Sequence, residues 1–266
     1  MRLPQAPFVR GELYGEGEPA LDDPAELFHE ASKLRPALAH RQSAGLARLA
    51  VNEHLQTASA QAVRRNPQRR CHPLPSPRRP ACSLWSALDR RRSRRDFGGG
   101  ALDAACLATL LDAGYGLRDG NRRAVPSGGA LYPLELHVAA RAVAGIPQGI
   151  YRYDQELHAL EEHELGDPWP ALEAACPLPG LLDGAAAVLL LLAVFGRTRF
   201  KYGLRGYRFA LLEAGHVVQN VALAAVALDV AALPLGGFYD AQVDDLVGAD
   251  GVEESVVYGV VVGGAA

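Results

Sequence analysis

The sequence predicts an α+β domain over residues 83–266, with helices packed around a mostly antiparallel sheet and one long helix through the core. Three observations predict it. From Tyr207 to Leu228 there is no Pro and one interior Gly, and apolar residues fall on every side of a helical wheel, as in a helix buried within a protein. Residues 185–195, AAAVLLLLAVF, form an unbroken apolar run of strand length, the pattern of a strand covered on both faces. Shorter strand-like runs and amphipathic helical runs are interleaved with these, separated by Gly and Pro turns.

In chain order, residues 1–22 read as irregular. Asp23-Pro24 is an N-cap followed by Pro at the first helical position, so a helix is predicted over 24–34, and a second over about 37–63. Together 1–63 read as a helical extension. Residues 64–82, RRNPQRRCHPLPSPRRPAC, contain five prolines and are predicted to form no regular element, only a linker or a surface-hugging arm. From Ser83 a helix runs into an arginine cluster, and 101–116 is an amphipathic helix ended by glycines. A loop with PSGGALYP follows over 119–133. Strands are predicted at 134–143 and 149–154, a helix at 168–176, then the strand at 185–195 and the long helix. A strand at 230–235, a Gly236-Gly237 turn, a helix at 240–247 and a strand at 255–262 complete the domain.

At 266 residues and 49% hydrophobic composition, the chain suits one large globular domain, or one with an appendage. The N-terminus has no apolar stretch of signal-peptide type, and Cys71, Cys82, Cys106 and Cys176 show no CxxC spacing. Free thiols in a cytoplasmic protein are the expectation. The long helix has the length of a membrane span, but Arg208, Glu213, His216, Gln219 and Asn220 interrupt it, so no membrane association is expected. Residues 1–97 carry a net +7 and residues 98–266 a net −10, with eleven arginines against the single acid Asp89 between 64 and 95. Such a block binds nucleic acid or phosphate, or stays solvated. Arginine outnumbers lysine 25 to 2 throughout, so part of the block is compositional, and no nucleic-acid partner is expected.

Four groups can carry chemistry. Arg91-Arg92-Ser93-Arg94-Arg95 offers forked guanidiniums and a hydroxyl suited to phosphate oxygens, or a solvated basic patch. Pro126-Ser127-Gly128-Gly129 is either an ordinary turn or a backbone approach to a flat or anionic ligand. Gly236-Gly237 is a second such approach. Lys201-Tyr202-Gly203-Leu204-Arg205-Gly206-Tyr207-Arg208 gathers ionisable side chains and two flexible glycines at the mouth of the core helix; it can serve proton transfer or simply be a solvated helix start. Glu26-x-x-His29 and Glu213-x-x-His216 match the spacing of di-iron bundles, yet that fold is all-α and strands are predicted here. Glu213, His216 and Asn220 are instead expected to satisfy one another on one helix face. Cys71, His72 and Cys82 lack paired zinc spacing, and no metal is expected. There is no Gly-x-Ser-x-Gly, P-loop or G-x-G-x-x-G motif.

Taken in order and spacing, RRSRRDF, PSGGALYP, KYGLRGYRFALLEAGHVVQN and PLGGFYD resemble the nitroreductase-like flavoproteins, and within them the SagB-type azoline dehydrogenases; HEASK, residues 29–33, is similar to a motif of that branch's N-terminal extension. The resemblance implies an intertwined homodimer with FMN at the interface. It assigns Arg91, Arg92, Ser93 and Arg95 to the FMN phosphate and ribityl chain, Pro126, Ser127 and Gly128 to the isoalloxazine, and Gly236 and Gly237 to the flavin near N5. Many relatives add a basic pair near the C-terminus where this chain has VVVGGAA, which leaves more of the phosphate to the arginines. The implied reaction oxidises a peptide thiazoline or oxazoline to the azole, by loss of a proton from Cα and a hydride from Cβ. Tyr202 would be the base, assisted by Lys201. Cyclodehydratase and carrier proteins are implied as further partners. An NAD(P)H-dependent nitro or quinone reductase, or a flavin-bound structural subunit of a cyclodehydratase complex, are the alternative functions.

Overall fold

The structure, a computed structural model, describes residues 24–35, 52, 66–119 and 122–265. The irregular segment expected over 1–22 and the helix expected over 37–63 lie outside the described residues, Asn52 apart. The described elements are α1 (Pro24–Ala31), β1 (Cys71–Pro73), α2 (Leu84–Arg90), α3 (Ala104–Tyr115), β2 (Leu134–Ala140), β3 (Gly149–Asp154), β4 (Ala159–Leu165), α4 (Trp169–Ala175), β5 (Ala187–Val194), α5 (Gly196–Tyr202), α6 (Leu204–Leu228), β6 (Val230–Leu235), α7 (Asp240–Val247) and β7 (Glu254–Gly264). The strands form one seven-stranded sheet in the order β1-β4-β3-β2-β5-β7-β6, with every pair antiparallel.

The apolar run of β5 is explained by its place. Leu189 and Leu191 point into the core shared with α3 and α6, while Val188, Leu190 and Leu192 point into the core on the other face, shared with α4 and α7. Alternate residues of a strand face opposite ways, so a central strand covered on both faces must be apolar throughout. Helix ends follow local chemistry: the Ser83 and Asp103 side chains accept from the N–H groups of Ser86 and Ala105 at the starts of α2 and α3.

The sequence reading is corrected at three places. Cys71–Pro73, inside the supposedly irregular arm, is an edge strand paired with β4. Around it the arm hugs the domain: Leu74 is buried, Arg78 pairs with Asp103 and Arg79 with Asp112. Strand β4, ALEEHEL, was not predicted because its charges disguise it. Glu161 is paired with Arg152 at 2.9 Å in the core, and His72 with Glu162 at 2.6 Å. Finally, the long helix is a core helix on one side only. Ala210, Ala214, Val217 and Val221 are buried, but Leu211, Leu212, His216 and Gln219 are exposed. By length and composition Leu204–Leu228 would suffice to cross a membrane, yet its buried side packs on the sheet and α3 and carries the carboxyl of Glu213 into the core.

Candidate active site

Two glycines shape the KYG-x-RGYR segment. Gly203, at φ +55°, makes the break between α5 and α6 that a side chain would strain. Gly206 lets the two helices touch backbone to backbone: a methyl there would sit 2.6 Å from the Thr198 carbonyl carbon, and Thr198 Oγ1 donates to the Gly206 carbonyl at 2.9 Å. Lys201 and Tyr202 therefore end a separate seven-residue helix rather than precede the long one. Arg197 ties that helix to the sheet through an ion pair with Glu135 of β2.

The PSGG loop closes over this pair. A methyl built on Gly129 would lie 2.7 Å from Lys201 Nζ and nearer still to Tyr202 Oη. Gly128 lies against the Phe209 ring, which meets Tyr202 edge-on at 5.0 Å, and Lys201 Nζ stands 5.2 Å from the Tyr202 ring centroid. The loop is strained: Gly129, Ala130 and Tyr132 all have positive φ, at +66°, +55° and +44°. Strain of this kind persists only where surrounding bonds hold it. Here Tyr132 N–H donates to Ser127 Oγ at 2.9 Å, and the Tyr132 hydroxyl accepts from Arg123 N–H at 3.2 Å. The resemblance assigned Pro126, Ser127 and Gly128 to the flavin and gave no role to Gly129, the glycine nearest the Lys–Tyr pair.

Beneath the loop is a buried acid that the sequence did not single out as functional. Glu213 Oε1 accepts from the Tyr115 hydroxyl at 2.6 Å, and Oε2 has no hydrogen-bond partner among the described residues. Burial pushes the Glu213 carboxyl up to about 7, against the pull of the Ser127 and Tyr115 hydroxyls and of Arg123. Burial, and then the Glu213 charge, push the Tyr115 phenol well above its usual value. The expectation that Glu213, His216 and Asn220 satisfy one another is wrong: His216 is exposed, and Asn220 donates to the carbonyls of Ala113 and Ala124. A turn of helix separates core from surface, and it parts Glu213 from His216. Among the described residues no three His, Cys, Asp or Glu side chains gather as a metal site.

The raised value has a consequence for stability. Between about pH 4.5 and 7 the native chain holds a proton on Glu213 that the unfolded chain has lost, so stability falls as pH rises through that window. The loss amounts to about 3 kcal/mol by the time Glu213 is ionised. Glu213→Gln, which mimics the neutral acid, is expected to be the more stable of the two chains at pH 8 and to show a shallower decline from pH 5 by denaturant titration. Parallel pH profiles for the two chains would refute this.

The arginine cluster lies elsewhere. A cavity of about 380 Å³ is lined by Asp89, Arg90, Arg91, Arg92 and Arg94, and by Ala222, Ala225, Val226, Asp229, Val230 and Ala232 at the far end of α6 and the start of β6. Arg94 N–H donates to the Ala232 carbonyl at 3.0 Å, fastening the cluster to β6. Unlike Arg78 and Arg79, the guanidiniums of Arg90, Arg91 and Arg92 have no ion pair among the described residues. A polar cavity with several unpaired guanidiniums fits a phosphate. Of the predicted contacts, Arg91 and Arg92 line this cavity, whereas Ser93 and Arg95 are exposed outside it. Arg90 and Arg94 line it and had not been named. Gly236 and Gly237 are exposed at the end of β6, with the Tyr258 ring 3.5 Å from the place of a Gly236 methyl.

The model of the nitroreductase family matches residues 88–264. The chain belongs to that family. Membership places it among the flavin-binding oxidoreductases and agrees with the fold. Among relatives, the nitroreductase-like protein MJ1384 of Methanocaldococcus jannaschii is 36% identical over 168 residues, 62% of this chain and 83% of the relative. The microcin B17-processing protein McbC of Escherichia coli is 30% identical over 146 residues, 48% of this chain and about half (49%) of McbC. In solved structures, this family member superposes on a chain of the E. coli microcin synthetase McbBCD complex with truncated pro-MccB17 bound, at TM-score 0.59 and 22% identity over 97% of each chain. A Desulfovibrio desulfuricans family member in complex with FMN matches at TM-score 0.50 and 23% identity, over 70% of this chain and 87% of that one. These last two likenesses bear on the fold alone.

Proposed function

We propose that the chain is an FMN-dependent azoline dehydrogenase of the SagB type, which oxidises thiazoline or oxazoline rings in a peptide to the aromatic azoles. The observation that carries this reading is the Lys201–Tyr202 pair at the end of α5, enclosed by the strained PSGG loop. A nitro or quinone reductase, which takes its hydride from a nicotinamide, has no use for such a pair. The similarity to McbC, a microcin B17-processing protein, points the same way.

FMN fits the residues present: Arg90, Arg91, Arg92 and Arg94 would hold its phosphate, and when bound it supplies the two-electron acceptor for the hydride that leaves Cβ. Gly236, four residues beyond Ala232 of the arginine cavity, stands about 13 Å along an extended strand from it, where its backbone can meet the ring. Pro126, Ser127 and Gly128 would line the other side. The rest is the work of this chain's own groups. Tyr202, acting as the phenolate, takes the proton from Cα of the azoline and becomes the phenol. Lys201, beside it, stabilises the negative charge that develops there. The edge-on ring of Phe209 and the PSGG backbone fix the pair.

The working unit we infer is a homodimer. Lys201–Tyr202 stands at the N-terminal end of α6 and the arginine cavity toward its C-terminal end, where Ala222, the cavity's first residue on α6, lies about 27 Å along the helix from Leu204. One chain's phosphate cavity and its own Lys–Tyr pair are too far apart to serve one ligand. A second copy laid on the exposed Leu211–Leu212 side of α6 would bring its pair to the first chain's cavity and cover that apolar surface. We place the flavin domain at 83–266 and the enzyme in the cytoplasm, with the azoline peptide, and a cyclodehydratase or carrier protein that delivers it, as partners.

The test begins with the absorbance spectrum of the purified protein and the mass of its released chromophore, followed by assays with azoline peptides and with NADH. Bound FMN with loss of two hydrogens from the peptide is the expected result. NADH consumption with no change in azoline peptides would favour a reductase.

A further inference from the structure

We propose that the N-terminal segment 24–35 is a positioning clamp on the Lys201–Tyr202 pair, acting through Tyr207 and Arg208. The inference rests on the reading of that pair as the proton-transfer group.

Helix α5 needs such a clamp. At seven residues it is far below the length at which a helix holds its own shape in water, and it hangs between Phe195 and the Gly203 break. Arg197 and Thr198 hold its first turn; the direction of its last turn, which carries Lys201 and Tyr202, depends on what grips its two ends. Tyr207, one turn into α6, stacks on Phe195 just before α5, with centroids 4.5 Å apart and planes 20° apart. The N-terminal segment holds the outer side of this stack. Phe28 meets the Tyr207 ring edge-on at 5.4 Å. Arg208 lies over the Phe28 ring at 5.7 Å and donates through Nη2 to the His29 carbonyl at 2.7 Å, with His29 Nδ1 at 3.3 Å. Arg205 reaches the carbonyl of Ser32 at 3.5 Å, and Ser32 is itself 2% exposed, its hydroxyl turned back to the Phe28 carbonyl.

The segment thus grips the residues on both sides of the Gly203 turn: Phe195 through Tyr207, and Arg205 and Arg208 directly. Through Phe28, His29 and Ser32 the segment meets Tyr207, Arg208 and Arg205. Its effect on chemistry is to hold α5 at one angle against the PSGG loop, where Gly129 leaves no slack. Reacting groups displaced by a fraction of a turn lose rate without losing ligand.

The experiment uses the full chain with its flavin. Phe28→Ala and Arg208→Ala are expected each to lower kcat for azoline oxidation by about tenfold, the worth of one edge-on aromatic or cation–π contact. Flavin content and the KM for peptide should stay within about twofold of wild type, since neither group touches ligand. Phe28→Tyr, which keeps the ring, should retain wild-type kcat. The double variant should lose less than the product of the single losses, because both act through one clamp. Hydrogen exchange supplies a readout free of activity: amides of 196–208 should lose protection in Phe28→Ala while those of α3 and β5 do not. Unchanged kcat and unchanged protection in both variants would overturn the clamp. A uniform loss of protection across the domain, with flavin released, would also overturn it, in favour of a purely structural role. If wild type itself fails to oxidise azolines, it is the enzymatic reading that falls, and the exchange result alone then decides whether the clamp exists.

Discussion

Tyr202→Phe and Lys201→Ala are each expected to lower azoline oxidation by at least about a hundredfold while leaving the flavin bound, since a positioned proton-transfer group contributes 10²–10⁴ in rate. The expectation comes from placement. Both side chains end a short helix whose next residue, Gly203, turns the chain away, so they project together at the edge of the domain where the PSGG loop meets them. Tyr202→Phe removes one oxygen and leaves the ring packed on Phe209, so a loss of rate in that variant reports the hydroxyl and not the packing. Lys201→Ala removes the ammonium beside the ring; Lys201→Arg, which keeps charge but not shape, should recover part of the rate. Full activity in both Tyr202→Phe and Lys201→Ala would dismiss the pair from the chemistry, whatever the flavin content. Because neither residue lines the arginine cavity, loss of flavin in these variants would also contradict the arrangement.

Arg91→Ala is expected to weaken FMN binding by about 10- to 100-fold, the worth of a charge-assisted hydrogen bond to a phosphate. The double change Arg91→Ala with Arg92→Ala should yield protein purified largely without flavin. Both residues line the cavity at the far end of α6, and neither is held by a carboxylate among the described residues. Arg95→Ala provides the control: Arg95 is exposed and outside the cavity, so its loss should change affinity by less than about twofold. Equal effects at Arg91 and Arg95 would move the phosphate away from this cavity. The resemblance had grouped Arg91, Arg92, Ser93 and Arg95 together, but of these only Arg91 and Arg92 line the cavity. Arg94, tied by its N–H to β6, takes the inner place instead of Arg95.

Much of the architecture was legible because its signals are local. The apolar run of β5 reports its own burial, and the long Pro-free span of α6 reports its helix though not its exposed side. The same is true of the chemistry-bearing segments: RRSRRDF, PSGGALYP and KYGLRGYR could each be picked out by residue type, and their glycines by the turns they permit. Strand β4 was illegible for the converse reason. Its Glu161 and Glu162 meet Arg152 and His72 from other strands, and a partner distant in sequence leaves no mark on a strand's own pattern. Strand β1 was hidden among prolines because a three-residue edge strand can be made by its neighbour's hydrogen bonds.

The sequence by itself determined most of the elements, the family and the candidate groups, since these depend on residue type and spacing along the chain. Only the tertiary structure decided which groups stand together. It joined Lys201 and Tyr202 to Gly129, drew Glu213 away from His216 and under Ser127 and Tyr115, and set the arginine cavity at the opposite end of α6 from the Lys–Tyr pair. It also revealed the Phe28–Tyr207–Phe195 stack that braces α5. The physical reason is common to all four. Burial, and the distance between side chains far apart in sequence, are set by how the helices and the sheet pack, and packing depends on all the surfaces at once, which no single stretch of the chain records.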